Sequence, residues 1–259
     1  STSYFTSREI YDYLTVTLNF LYWGLLLFVS NTLFATIFII EVLSTLLFLL
    51  LITSAFSSSF FYRNLDLSFG HTFQQSTPYS FLHSILFFFW IALLSSLGLF
   101  LFVLMLYTKL FTLDWFLIEH VYLLLASTAS ISELTAIGLA WFILILCIFL
   151  KCGIAPLFFW KPAFFKGLTF SAILVYICFF YFILFIFLIH MLTSYFSILL
   201  YSYVLFLLTL VLIGLLTLLA IMCDAIYIKS FLAISSILNS LFVLLAVGTT
   251  HTTPLILWF

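Results

Sequence analysis

Long apolar runs separated by short polar interruptions dominate this chain, and their length sets its class. A helix that crosses a membrane needs about 20 mostly apolar residues. Seven runs reach or approach that length, at roughly 13–30, 32–55, 81–107, 134–152, 168–191, 196–222 and 229–248. They are continuous, whereas the strands of a membrane barrel alternate apolar with polar positions over short segments, so the pattern predicts helices. The Ser30-Asn31 interruption and the one around Ser194 leave room only for tight turns, which makes the helices they join antiparallel neighbours. Residues 56–80 and 108–133 are longer and more polar; within the second, 115–125 is apolar but too short to span and reads as an interfacial or loop helix. The expected fold is all-α: one polytopic membrane domain over 1–259 with about seven transmembrane helices.

Composition sharpens this picture. Hydrophobic residues make up 67% of the chain and charged ones 6%, against about 25% charged in an ordinary soluble domain. Such a chain cannot clothe a soluble surface, which excludes a soluble globular protein, a disordered chain and a nucleic-acid binder with clustered basic charge. Phenylalanine, at 36 of 259 residues, fits an AT-rich organelle genome. Cys147, Cys152, Cys178 and Cys223 form no C-x-x-C pair and read as small buried hydrophobes. There is no cysteine cluster for iron–sulfur, no G-x-G-x-x-G loop and no Walker loop, so no redox cofactor is expected in this chain.

Seven spans place Arg8, Arg63, Lys161, Lys166 and Lys229 on one side of the membrane and Lys109 on the other. By the positive-inside rule the basic side faces the compartment where the chain is made. That puts the N-terminus and loop 153–167 together on this side.

A few charges stand where the membrane interior should be. An ionised side chain there costs roughly 2.5–3.5 kcal/mol on insertion scales and usually marks an ion or proton path. Glu41 lies near the middle of the second run, with no charged residue within twenty positions on either side. It reads either as a proton-relay carboxylate or as a protonated core carboxyl. Lys151 closes the fourth run and precedes Cys152-Gly153-Ile154-Ala155-Pro156. Gly153 and Pro156 predict a broken helix, and broken helices at membrane depth line polar cavities; a lysine snorkelling from a helix end is the other reading. His190, near the end of the fifth run, is a weaker proton-relay candidate. Ser236, Asn239 and Ser240 share one face of the seventh run, a strip that packs helices or wets a channel.

The stretch from Lys151 to Gly167, KCGIAPLFFWKPAFFKG, resembles the K-x-G-x-A-P-x-x-x-W-x-P-x-x-x-x-G signature of the NADH dehydrogenase subunit 2 family, the antiporter-like membrane subunits of mitochondrial respiratory complex I. Lys229–Ile237, KSFLAISSI, resembles the family's K-x-x-x-A-Y-S-S-I, with Ile234 in place of tyrosine. Ser30–Glu41 resembles the segment that leads to the family's intramembrane glutamate. The resemblance implies that Glu41 and Lys151 form a proton relay, that quinone reduction elsewhere drives proton translocation through it, and that flavin, iron–sulfur clusters and ubiquinone belong to other subunits. It places the chain in the mitochondrial inner membrane, with loop 153–167 on the matrix side, among other membrane-arm subunits and lipids.

The chain also departs from the family. The family has a second lysine in the helix after the broken one; here 168–189 carries no charge, and the corresponding neighbourhood is Phe179, Phe180 and Tyr181. Phe158 and Ala163 replace a histidine and an acidic residue of the motif. The family fold has two inverted five-helix repeats. Residues 13–191 would fill the first and 196–248 begin the second, so a separate polypeptide is expected to complete it, this chain being one part of a split subunit. Two other readings stay open: a structural complex I subunit that has lost pumping, and a cation/proton antiporter subunit.

Overall fold

The computed structural model describes residues 7–65, 78–128, 131–168, 170–195, 197–222 and 228–258, with side chains over 14–52, 82–118, 120–122, 124, 135–168, 172–194, 200, 203–222 and 228–249. Helices account for nearly all of it: α1 (Ser7–Val29), α2 (Leu33–Leu65), α3 (Pro78–Leu110), α4 (Trp115–Thr128), α5 (Ile131–Cys152), α6 (Trp160–Gly167), α7 (Phe170–Val175), α8 (Phe182–His190), α9 (Ser197–Met222) and α10 (Ile228–Trp258). Two π-helical turns interrupt the α7–α8 segment, π1 (Tyr176–Tyr181) between them and π2 (Met191–Tyr195) after α8.

Six segments among the described residues are long and apolar enough to cross a membrane: Leu33–Ile52, Leu82–Leu110, Thr135–Cys152, Ala172–Ser194, Tyr203–Met222 and Ile228–Thr249. The chain is therefore an all-helical, polytopic membrane protein. The expected first span, 13–30, lies in α1, whose described side chains begin at Leu14; its apolar part Leu14–Val29 includes Thr15, Thr17 and Asn19. Two of these polar groups turn back on the helix: Thr17 Oγ1 donates to the Leu14 carbonyl at 2.9 Å and Asn19 Nδ2 to the Thr15 carbonyl at 3.0 Å.

Large apolar side chains face outward from these helices, among them Trp90, Leu94, Leu104, Leu205 and Leu216. In water such a surface would drive association; in a bilayer it meets acyl chains. Buried hydroxyls donate to their own helix, as Thr36 Oγ1 does to the Leu33 carbonyl (2.7 Å) and Ser95 Oγ to the Ala92 carbonyl (2.8 Å), so few polar atoms seek partners in hydrocarbon.

The short apolar stretch at 115–125 forms α4, which lays Trp115, Ile118 and Tyr122 on the bundle and leaves Phe116, Leu117 and Leu124 exposed. Two backbone bonds anchor its start to the α1–α2 turn: Leu33 N–H donates to the Leu113 carbonyl (2.8 Å) and Trp115 N–H to the Asn31 carbonyl (3.2 Å). At the other end of α5, the chain folds back. Helix α3 packs along both α5 and α6, and α10 packs on α6 and α9, so the return segment α6 lies inside the bundle.

Candidate functional site

The site is built on the end of α5. Gly153 has φ +64°, a left-handed conformation that costs an L-residue with a side chain about 1–2 kcal/mol. Ile154 N–H donates to the Phe149 carbonyl (2.9 Å) and Gly153 N–H to the Leu150 carbonyl (3.3 Å), the paired bonds of a Schellman stop. Phe149 and Ile154 are both buried beside it. Trp160 Nε1 also donates to the Leu150 carbonyl, at 3.0 Å, which ties the start of α6 to the end of α5. The break thus falls at the glycine and proline that predict it. Helix α9 approaches closely: a Cβ on Gly214 would lie 2.7 Å from the Cβ of Ala155.

Lys151, in the last turn of α5, reaches across to the third turn of α2, where its Nζ donates to Glu41 Oε1 at 2.5 Å. Its side chain is 3% exposed and that of Glu41 25%. Lys151 therefore does not snorkel; it turns inward and pairs. The second carboxylate oxygen of Glu41 lies 3.5 Å from Ser44 Oγ, whose hydroxyl donates to the Glu41 carbonyl at 2.8 Å. A neighbouring anion raises a lysine's proton affinity and desolvation lowers it. At the Lys151 nitrogen these two influences oppose each other.

Lys161, in the first turn of α6, is fully buried. The sequence suggests a loop lysine in water; the return of α6 instead carries it into the bundle. Lys229, half-buried, donates to the Leu168 carbonyl at 2.6 Å. Lys161 Nζ sits 3.5 Å from the centre of the Tyr181 ring and 5.9 Å from that of Tyr176. It has no hydrogen-bond acceptor among the described residues. Helix α6 is not one of the six spanning segments, and burial lowers the Lys161 ammonium to about 7, with the nearby Cys152 thiol opposing.

The two tyrosines come together through π1. Residues five apart diverge by about 140° on an α-helix; the wider π turn lets Tyr176 and Tyr181 stack, with centroids 6.4 Å apart and planes at 26°. Phe88 of α3 stacks on Phe164 at 4.9 Å and meets Tyr176 edge-on at 6.5 Å, which closes the aromatic shell. Tyr181 OH donates to the Ser236 carbonyl at 3.2 Å and also interacts with the Ser240 side chain. The serine strip of α10 thus packs a helix and presents acceptors to Tyr181.

His190 lies at the end of α8, where Nδ1 is 3.2 Å from Ser194 Oγ and the ring is 6.5 Å from that of Phe28. Its turn presents Phe187 and Met191, not the imidazole, to a small apolar cavity shared with Ile40 and Ile148. Arg8, Arg63, Glu133 and Asp224 lie outside the described side chains.

Fold and site define a class: a polytopic helical membrane protein with a part-buried acid–base pair at an interrupted helix. Comparison with protein-family models and with curated proteins finds no match to the chain.

Proposed function

We propose that this chain is a proton-translocating membrane-arm subunit of respiratory complex I, of the NADH dehydrogenase subunit 2 family, in the mitochondrial inner membrane. The Glu41–Lys151 pair carries the reading: two ionisable residues 110 positions apart meet at a glycine-broken helix, the lysine buried and the glutamate half-buried. A pair held only for stability is a poor use of burial, since well-packed apolar residues commonly do as well or better. A pair that changes its separation is a proton switch. While Glu41 faces Lys151, the lysine keeps its proton. Parting the two leaves a desolvated ammonium that releases a proton and a carboxylate that takes one up. The chain then performs no redox chemistry: quinone reduction in other subunits of the NADH:ubiquinone oxidoreductase supplies the driving force.

The lack of charge in 168–189 favours a second reading, a complex I subunit that no longer pumps. Native-gel separation of mildly solubilised membranes, with peptide mass spectrometry along the lane, tests the shared part of both. Co-migration with NADH dehydrogenase activity is the expected result. Migration in a separate, smaller assembly overturns membership of the complex and leaves the antiporter reading in its place.

A further inference from the structure

Lys161 has the burial of a functional lysine and the surroundings of none that is merely structural. A structural lysine snorkels to water or pairs with an acid. This one is fully buried, and its Nζ has no acceptor among the described residues. From α5 it faces the Cys152 thiol; from π1, the rings of Tyr176 and Tyr181. Beyond Tyr181, α10 presents the Ser236 carbonyl and the Ser240 hydroxyl. From α3, Phe88 packs on Trp160 and Phe164 beside it. No described carboxylate faces it.

Aromatic faces attract an ammonium but accept no proton from it, so they hold the charge without fixing it. Gly153 makes the placement possible: a Cβ there would lie 3.2 Å from Lys161 Cβ and 3.1 Å from its Cδ. Cys152 interacts electrostatically with both lysines. Ionisable and hydroxyl groups therefore follow one another across the bundle from Glu41 and Lys151 through Cys152 and Lys161 to Tyr181 and Ser240.

We propose that Lys161 is a second proton-binding station on this path, alternating between an ammonium held on the Tyr181 ring face and a neutral amine. This rests on the proton-translocation reading above. The step moves a proton only: an Nζ–H bond breaks, the proton passes to water, and Nζ keeps the electron pair; uptake reverses it.

The test uses the assembled complex in sealed membrane vesicles, with Lys161→Met, Lys161→Arg and Lys151→Met compared with wild type. Two quantities are read: protons moved per NADH oxidised, and the thermal midpoint of the complex between pH 7 and 9. The expected result is at least a twofold drop in the proton ratio for both Lys161 variants, since a guanidinium stays charged, together with a wild-type midpoint that rises with pH relative to Lys161→Met. If Lys161→Arg pumps like wild type, Lys161 is a fixed cation and the proposal fails. If the relative midpoint is flat with pH, the lysine does not titrate and the proposal fails, while a pumping defect in Lys151→Met still upholds the first pair. If Lys151→Met pumps normally, the proton-translocation reading itself falls, and this proposal with it.

Discussion

Lys151 and Lys161 are ten residues apart, both buried, and solve the same electrostatic problem in opposite ways. Lys151 has a carboxylate at 2.5 Å. Lys161 has ring faces and a thiol, and no described anion. The difference follows from the break between them. The last turn of α5 still points Lys151 at α2, whereas the left-handed Gly153 turns the chain back so that α6 aims Lys161 at π1. A lysine facing a carboxylate has its proton affinity set by the distance to that partner. One that faces none has only burial and polarisable neighbours acting on it.

The contrast is broken most severely by removing the anion from one side. Glu41→Gln strands Lys151 without its partner, and breaking a buried pair typically costs about 3–5 kcal/mol; chemical denaturation in lipid should show a loss of that order. Adding Lys151→Met to the same chain should recover most of it. Recovery of nothing would mean that Glu41 is held by groups other than Lys151.

The second lysine should reveal itself through pH. Folded, Lys161 titrates at about 7; its ordinary value is 10.5. Between those values the unfolded chain binds a proton that the folded one does not, so stability increases as pH rises through this window. The slope is at most about 1.4 kcal/mol per pH unit. Lys161→Met should lose this slope and gain stability at pH 7, as read by thermal midpoints in lipid.

Smaller effects sharpen the geometry. Gly153→Ala forces a side chain into the left-handed region and against Lys161 and Trp160, and should destabilise by about 1–2 kcal/mol. Tyr181→Phe keeps the ring under Lys161 but removes the hydroxyl that donates to the Ser236 carbonyl, for a loss of about 0.5–1.5 kcal/mol with the pH slope intact. His190→Gln, which touches neither lysine's described partners, should change stability by less than about 0.5 kcal/mol.

The helices and the break are readable in the sequence because lipid and core both demand apolar side chains, and because Gly153 and Pro156 interrupt the pattern. Glu41 and Lys151 stand out as charges inside such runs. Their meeting does not: nothing in spacing says that positions 41 and 151 converge, and only the family resemblance implies it. Lys161 is hidden for a different reason. It lies in a connection too short to span, where a lysine normally meets water, and only the packing of α6 against α3 and α10 buries it. A trace exists in the aromatic density around it, Phe158, Phe159, Trp160, Phe164 and Phe165, which is unusual for a loop in water.

The central claim is that the Glu41–Lys151 pair moves protons. Its most direct test is the number of protons translocated per NADH oxidised by sealed vesicles carrying Lys151→Met, with assembly checked on native gels. The account predicts a marked fall in that ratio with the complex still assembled. An assembled complex that pumps at the wild-type ratio would contradict it and leave the pair a structural tie.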